Sequence, residues 1–503
     1  MFDIVDPSIA SHGRTARAQR RPDLGDGSFL NPILPGDYPD PCILKDGADY
    51  YLACSSLQFT PGPVIWHSRD LVNWLPIGPA LTRPLGTVGA VDLVRHKGRY
   101  FLYLPMWQPG RAAVHVVHAD HIAGPWSDPV DLGLADCFGA SHVVAEDGSR
   151  HLFVNGVRRV QLTDDGLATV GGPVHAHTPA LSEQDAGQGV FTSSAPRLIR
   201  RDGYFYLLRA CAGAPSGQHV LTVARSSSVF GPWEDCVVNP LEGRDAAWST
   251  SGNVSLVEGL NGDWWLACHG LEQGHRTLGR QPLLQPIEWG RDGWFRTRGG
   301  ALGQPQRKPR WGQPCPGVPA LSDDFSSPRI GRQWSFFDAG TDEMQRARRG
   351  NPGLLLAGKG SGLADCSPLT CVAGDHAYQA ELEFEISGDA QGGLALFHDA
   401  RGFVGIGIDA DRMHTYSYGQ AHRWMQQPVQ GRLHHLRLTH RRQLVSFHHA
   451  TSDGCWMPNP WLQQVSVMHQ NSFDSPHSLR LALFAAGAGE VRMKRFTYCR
   501  LDA

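Results

Sequence analysis

The first 300 or so residues repeat one pattern of polar and hydrophobic positions five times. In each repeat a glycine in a polar turn is followed at once by a short run of aromatic and aliphatic residues. Glycine allows the positive φ of a tight hairpin turn, so each stretch predicts two antiparallel strands. The five stretches are KDGADYYLA, HKGRYFLYL, EDGSRHLFV, RDGYFYLLR and LNGDWWLAC, with turns at Gly47, Gly98, Gly148, Gly203 and Gly262.

The spacing of these repeats, roughly 50 residues, matches one four-stranded blade of a β-propeller. A second signature, a tryptophan that closes a polar loop, lies between the turns at Trp74, Trp126 and Trp233. We therefore predict an all-β fold that begins with a five-bladed β-propeller over residues 28–312. In a propeller the first strand of each blade lines the central channel, and here that strand is the segment running into each turn glycine.

The rhythm changes after the proline-rich stretch RKPRWGQPCPGVPALSDDF. From residue 323 onward, hydrophobic and polar residues alternate with a period of two, as in AYQAELEFEI and LRLALFAAG. This alternation is typical of half-buried strands. It predicts a second domain, a concanavalin-like β-sandwich over residues 323–503, with a linker at 313–322 and an N-terminal extension at 1–27.

Charge and cysteine content exclude several classes of partner. A net charge of −2 and a pI near 6.9 give no electrostatic basis for binding nucleic acid or an anionic membrane. Eleven cysteines without a C-x-x-C pair indicate reduced thiols, and the first residues contain no apolar signal-peptide core. We therefore expect a cytoplasmic protein and leave homo-oligomerisation open.

Histidines on a predicted hairpin are the densest set of metal-binding residue types in the chain. Side chains alternate along a strand, so neighbouring histidines face opposite sides, and we predict a solvated strand without a metal site. The members are His434, His435, His440, His448 and His449.

Four separated blocks of the sequence resemble glycoside hydrolase family 43. They are NPILPGDYPDPCIL, SSLQFTPGPVIWHSRDLVNW, LGRQPLLQPIEW and LSDDFSSPRIGRQWSFFD, in this order from Asn31 onward. The similarity is to the branch of β-xylosidases and α-L-arabinofuranosidases that carry a C-terminal β-sandwich. It implies an inverting hydrolase in which one carboxylate activates water and a carboxylic acid protonates the leaving oxygen.

The resemblance assigns the base to Asp40, in the motif PDP; a structural turn before Pro41 is the alternative role. At three other positions this chain departs from the family pattern. The aspartate that orients the acid falls at Gly139, the general-acid glutamate at Ser194 and the channel histidine at Asn253. A serine hydroxyl is too weak an acid to protonate a glycosidic oxygen near neutral pH, and losing one acid catalyst costs about 10²–10⁴-fold.

A different residue could replace the missing acid. Asp92 is the leading candidate, because it lies on the predicted channel strand of the second blade. The other candidates are Asp136, Glu183, His142 and His219.

The resemblance also implies substrate contacts. Arg280 matches a family arginine that reaches sugar hydroxyls, with a structural ion pair as the alternative. Phe59 and Trp107 lie in loops expected near the pocket mouth, where an aromatic face would stack on a sugar; core packing is the alternative. We expect no cofactor. A channel cation such as calcium is compatible with the family, but Asn253 in place of histidine argues against it.

These observations support two main hypotheses of function. The first is an inverting glycoside hydrolase that releases terminal β-xylosyl or α-L-arabinofuranosyl units from short oligosaccharides. The second is a catalytically inactive family member that binds carbohydrate, because the acid, its orienting aspartate and the channel histidine are replaced. A third is transfer chemistry with a leaving group acidic enough to need no protonation.

Overall fold

The computed structural model describes residues 19–155, 157–178, 195–212, 219–237, 245–313, 320–327, 329–450, 454–470 and 472–502. Nearly all regular structure in these ranges is β-strand. The single α-helix, α1, covers Glu343–Arg346, and short 3₁₀ turns cover Arg276–Leu278, Arg423–Met425 and Ser472–Asp474. No helix in these ranges is long and apolar enough to cross a membrane.

The N-terminal part of the described chain contains 24 strands. They are β1 (Ser28–Phe29), β2 (Cys42–Asp46), β3 (Asp49–Ala53), β4 (Phe59–Thr60), β5 (Val64–Ser68), β6 (Leu75–Pro79), β7 (Thr87–Val88), β8 (Asp92–His96), β9 (Arg99–Gln108), β10 (Arg111–Ala119), β11 (Val130–Ala135), β12 (Ala140–Val144), β13 (Arg150–Val154), β14 (Arg158–Leu162), β15 (Thr169–His175), β16 (Arg197–Arg201), β17 (Tyr204–Ala212), β18 (His219–Ser226), β19 (Glu234–Asp235), β20 (Trp248–Glu258), β21 (Trp264–Glu272), β22 (Arg280–Trp289), β23 (Phe295–Thr297) and β24 (Gln306–Arg307).

Most of these strands form five antiparallel sheets, one per blade, which confirms the predicted five-bladed propeller. Blade 1 is β2-β3-β5-β6, blade 2 joins β7 and β8 to β9-β10-β11, and blades 3 to 5 are β12–β15, β16–β19 and β20–β23. The first long strands of the blades, β2, β8, β12, β16 and β20, contact one another in a closed ring. They line the channel, as the sequence predicts.

The middle strands of the blades are buried on both faces because each blade packs between two neighbours. In β9, for example, every residue from Tyr100 to Met106 is buried. Such strands are continuously hydrophobic rather than alternating. The aromatic runs after the turn glycines therefore supply the packing between blades.

The C-terminal part contains the remaining 14 strands. They are β25 (Ser335–Phe337), β26 (Ala347–Arg349), β27 (Leu354–Ala357), β28 (Leu369–Cys371), β29 (Ala377–Asp399), β30 (Gly402–Ile408), β31 (Arg412–Ser417), β32 (Gln420–Ala421), β33 (Gln427–Pro428), β34 (Leu433–Arg441), β35 (Leu444–Ala450), β36 (Trp456–Pro458), β37 (Gln463–Gln464) and β38 (Arg480–Arg500).

These strands pair through two long members, β29 and β38, which run antiparallel along most of their length. From Tyr378 to Ile386 the residues of β29 alternate between buried and partly exposed positions, as the period-two pattern predicts. One large apolar cluster, including Phe384, Leu438 and Phe496, fills the space that the strands enclose. This arrangement is consistent with the predicted β-sandwich. The boundaries placed at 313–322 stay a prediction.

The two regions are joined by a strand pair. Residues Phe59 and Thr60 of β4, within blade 1, pair with Phe337 and Phe336 of β25. A segment of the propeller thus extends the C-terminal sheet.

Two smaller predictions can be compared with the structure. Cys366 and Cys371, which are close in sequence, are both buried free thiols; the reduced state expected for the chain stays a prediction. The solvated histidine strand is partly wrong, because His434 and His440 are buried in β34 and burial lowers the pKa of each to about 4. Their side of β34 packs on the apolar core.

Candidate active site

The predicted base, Asp40, lies just before β2 at one end of the channel. Its φ is 59°, in the left-handed region that aspartate tolerates better than most residues. Its backbone N–H donates to Nδ1 of His269, on β21, over 2.9 Å. Because Nδ1 accepts this bond, the proton of the neutral imidazole is on Nε2. The backbone of Asp40 is thereby tied to blade 5.

Both carboxylate oxygens of Asp40 accept hydrogen bonds from neutral side chains. Ser55 Oγ donates to Oδ2 over 2.6 Å, and Asn253 Nδ2 donates to Oδ1 over 2.8 Å. Ser55 follows the end of β3, whereas Asn253 lies in β20 where the pairing register shifts between Ser251 and Ser255. An irregularity of this kind re-aims a side chain relative to a regular strand. Asp40 as a whole residue is only 5% exposed.

This environment keeps the carboxyl ionised. Burial by itself raises the pKa of Asp40, but the His269 ring, in its protonated form, and the Arg280 guanidinium act in the opposite direction. The hydrogen bonds from Ser55 and Asn253 add to their effect, and the pKa of Asp40 lies below its ordinary value of 3.8. Each carboxylate oxygen has two lone pairs, so one per oxygen remains for a water molecule. Asp40 therefore has the charge and the acceptor capacity of a general base.

The position of the missing acid-orienting aspartate is tightly packed. A Cβ atom added to Gly139 would lie 2.4 Å from the Cα of Ala195, closer than such atoms approach in proteins. The first described residue of the fourth blade therefore occupies the space where a side chain would project. Ser194, the position of the family acid, lies outside the described residues, as does Glu183.

Asp92, the leading candidate for a replacement acid, is buried in an ion pair. Its Oδ1 accepts from the guanidinium of Arg197, at the start of β16, and its Oδ2 accepts from the backbone N–H of His142 over 2.5 Å. Arg197 also donates to the carbonyl of Val91. Both carboxylate oxygens of Asp92 are therefore occupied by donors from blades 3 and 4. The arrangement suits a link between blades 2, 3 and 4; the acid role of Asp92 stays a prediction.

The other candidate acids are in different surroundings. Asp136 is exposed outside the inner ring of strands. His142 is buried and accepts a hydrogen bond from Arg150 at Nε2, and burial together with Arg150 holds its pKa well below the ordinary value. His142 is therefore neutral and not a proton donor of the required strength. The side chain of His219 lies outside the described part of the chain.

Among the predicted sugar contacts, Arg280 is the one whose charge lowers the pKa of Asp40. Its backbone N–H donates to Asp37 over 2.9 Å, and its guanidinium donates to the carbonyl of Pro476 in the C-terminal region. Arg280 therefore stands where the end of the channel meets the second domain. Its contact with a sugar stays a prediction.

The two aromatic candidates have packing partners. Phe59 is buried between Phe337 and Arg480, whose guanidinium carbon lies 3.4 Å from the centre of the ring. It lines a cavity of about 160 Å³ between blade 1 and the C-terminal region, so in this structure it contributes to the contact between domains. Trp107 is half-buried, and its ring packs against Gly89. A Cβ atom added to Gly89 would lie only 2.5 Å from the Trp107 ring.

The prediction about a channel cation such as calcium concerns the side chains around Asp40. Within the described ranges no three His, Cys, Asp or Glu side chains lie close enough together to hold a metal ion. Calcium requires six to eight oxygen ligands. Here Asn253 directs its amide nitrogen, a donor, toward the Asp40 carboxylate.

Sequence reasoning did not identify Ser55 or His269 as site residues. Ser55 is one of two adjacent serines after a strand, and His269 lies inside a strand of blade 5. Their importance depends on contacts with Asp40 over 15 and 229 residues of sequence separation. Neither contact has a local signal in the sequence.

Comparisons with known proteins agree with this geometry. The model of Glycosyl hydrolases family 43 matches residues 29–295, just over half of the chain. The non-reducing end alpha-L-arabinofuranosidase BoGH43B of Bacteroides ovatus is 29% identical over 333 residues, covering 62% of this chain and 62% of that relative. A xylosidase/arabinosidase of Butyrivibrio fibrisolvens is 32% identical over 295 residues, covering 52% and 55%. The matches thus span less than two thirds of these relatives' own lengths.

Similarity of structure extends further along the chain. The crystal structure of xylan beta-1,4-xylosidase from Bacillus halodurans C-125 superposes with a TM-score of 0.81 at 25% identity. It covers 94% of this chain and 100% of that one. Both the propeller and the C-terminal region are therefore shared with that protein.

Proposed function

The chain belongs to glycosyl hydrolases family 43, and from this premise we propose that it hydrolyses terminal pentosyl units, β-xylosyl or α-L-arabinofuranosyl, from short oligosaccharides. One observation carries the proposal: a buried carboxylate, Asp40, held ionised by Ser55 and Asn253 at the end of the channel. A carboxylate of this kind is what water activation requires.

In the proposed reaction Asp40 accepts a proton from a water molecule while the water oxygen attacks the anomeric carbon. The bond from that carbon to the leaving oxygen breaks on the opposite face of the sugar. This single displacement inverts the anomeric configuration. The leaving oxygen departs with the electron pair and must gain a proton, either in the same step or afterwards from water.

The source of that second proton determines which substrates react. The family acid is replaced by Ser194, and Asp92 is paired with Arg197. We therefore infer that hydrolysis depends strongly on the acidity of the leaving group. An activated aryl leaving group needs no proton, whereas a sugar alkoxide does.

A second candidate function, non-catalytic binding of a pentosyl-terminated glycan, has its own support. Gly139 has no room for the missing aspartate, because Ala195 packs against it. A carboxylate flanked by neutral donors, as Asp40 is, also suits a group that binds sugar hydroxyls.

A comparison of leaving groups distinguishes the two functions. We would assay 2,4-dinitrophenyl glycosides and natural disaccharides of β-xylose and α-L-arabinofuranose, with the anomeric configuration of the first product followed by NMR. The matched control is Asp40→Asn, since asparagine tolerates the same left-handed backbone and has nearly the same size, but its amide cannot take a proton from water. Turnover of the aryl substrate with inversion, absent in the control, supports hydrolysis. Saturable sugar binding without turnover supports the second function.

A further inference from the structure

The C-terminal region exposes an aromatic surface that the proposed reaction does not use. Trp424 is 77% exposed, and its ring centre lies 5.8 Å from that of Trp461, with 39° between the ring planes. The ring of His422 packs edge-on against Trp461 at 4.7 Å. We call these three side chains the Trp424 platform. Trp461 and His422 are half-buried, so Trp424 is the exposed member of the cluster. A large aromatic ring left exposed on a supported cluster commonly marks a binding site, because it forgoes the free energy that burial would provide.

Two members of the platform are hydrogen-bonded to one buried residue of β31. Thr415 accepts a hydrogen bond at its carbonyl from the N–H of His422 over 3.0 Å. Its hydroxyl oxygen accepts another from the side chain of Asn459 over 2.8 Å. Asn459 in turn accepts from the N–H of Trp461 over 3.1 Å. The backbones of His422 and Trp461 thus share one anchor, which reduces the conformational freedom that a ligand would have to remove.

A series of contacts connects the platform to the end of the channel. Tyr418, itself partly exposed, precedes Gly419, which packs against the backbone of Arg401. The next residue, Gly402, packs against the ring of Phe473. Three residues further along the chain, Pro476 accepts the hydrogen bond from Arg280. Two partly exposed rings, Tyr418 and Phe473, therefore belong to this series of neighbouring segments.

The chemistry of the platform fits a sugar chain better than a protein. An aromatic ring has a negative face that attracts the C–H face of a pyranose or furanose ring. The surrounding side chains are polar, with Arg412 donating to Gln426 beside the platform, and such groups can hydrogen-bond sugar hydroxyls. A protein partner would need roughly 800 Å² of complementary surface on this side, whereas the aromatic patch ends within a few residues.

We propose that the Trp424 platform binds the pentose-containing chain of a substrate glycan at a distance from the reacting unit. This inference rests on the proposed function for the identity of the sugar, but binding at the platform does not require turnover. It gives the C-terminal region a role in retaining polymeric substrates near the channel.

The test is the affinity for a soluble arabinoxylan, measured by affinity gel electrophoresis and calorimetry. The parent protein is the full chain carrying Asp40→Asn, so that hydrolysis cannot alter the ligand. We expect Trp424→Ala to weaken binding about tenfold, the effect of losing one stacked aromatic face. Trp461→Ala should act in the same direction. Trp311→Ala is the matched control, because Trp311 is 80% exposed in a different part of the chain.

Several outcomes would overturn the proposal. They are absence of arabinoxylan binding by the parent, unchanged affinity in Trp424→Ala, or an equal loss in Trp311→Ala. Loss of self-association in Trp424→Ala during sedimentation, with glycan affinity unchanged, would assign the platform to a contact between copies of the chain. Binding that depends on Trp424 in a protein without glycosidase activity would sustain this inference while refuting hydrolysis.

Discussion

Removing the hydroxyl of Ser55 tests whether hydrogen bonding maintains the charge of Asp40. Ser55 donates to a buried carboxylate oxygen over 2.6 Å, a short bond to an ionised acceptor. A hydrogen bond to a charged group contributes about 1.5–3 kcal/mol, and about 1.4 kcal/mol corresponds to a tenfold change in a protonation equilibrium. Ser55→Ala should therefore weaken the ionised form of Asp40 by about ten- to a hundredfold relative to the protonated form.

The assay is the pH dependence of kcat/KM for an aryl pentoside between pH 3 and pH 8. A base must be ionised, so activity falls as the pH drops through the pKa of Asp40, which lies below 3.8. In Ser55→Ala this acid limb should move upward by about one to two pH units. Ser56→Ala is the control, because the side chain of Ser56 lies beside Gly62. An acid limb that is unchanged in Ser55→Ala refutes the reasoning.

Three further substitutions test other parts of the account. In Glu272→Gln the unfolding free energy at pH 7 should fall by about 3 kcal/mol. Burial alone would raise the pKa of Glu272, but its contacts with His376 and Arg20 lower this pKa from 4.5 to about 2. The wild-type protein should lose the same contribution as the pH falls from 4.5 to 2, and equal thermal melting of the two proteins at pH 7 would contradict this. Gly139→Asp should destabilise the propeller by about 1–3 kcal/mol without restoring disaccharide hydrolysis, because the Cβ of the new aspartate would collide with Ala195. A gain in disaccharide hydrolysis would show that the site can accept the aspartate. Asp92→Asn leaves a buried arginine without its carboxylate and should cost about 3–5 kcal/mol in chemical denaturation, with aryl and disaccharide turnover reduced alike. Selective loss of disaccharide turnover would instead make Asp92 the acid.

The repeated turns allowed the propeller to be predicted from sequence. All five turn glycines have positive φ, and each joins the first long strand of its blade to the next. This information is local, because a hairpin turn depends on a few adjacent residues. The alternating pattern of β29 is local in the same way, since one face of a strand packs inward and the other outward. The five turn glycines with positive φ are Gly47, Gly98, Gly148, Gly203 and Gly262.

Contacts between distant parts of the chain could not be predicted from the sequence. Phe59 was expected near the pocket mouth, but its strand pairs with β25, more than 270 residues later, and its ring is buried between the domains. The partner of Asp92 is Arg197, 105 residues away. The sequence contains no local mark of either contact, because the closed ring of blades determines which segments meet. The position of Asp40 was inferred from a motif, whereas its two hydrogen-bond donors required the structure.

The most direct test of the central claim is the turnover of 2,4-dinitrophenyl β-xyloside and α-L-arabinofuranoside by the wild-type chain and by Asp40→Asn. If Asp40 is the base, one of these substrates is hydrolysed with inversion, and the substitution reduces kcat/KM by at least about 10²-fold while thermal stability remains close to that of the wild type. Equal turnover by the two proteins would contradict the assignment of Asp40.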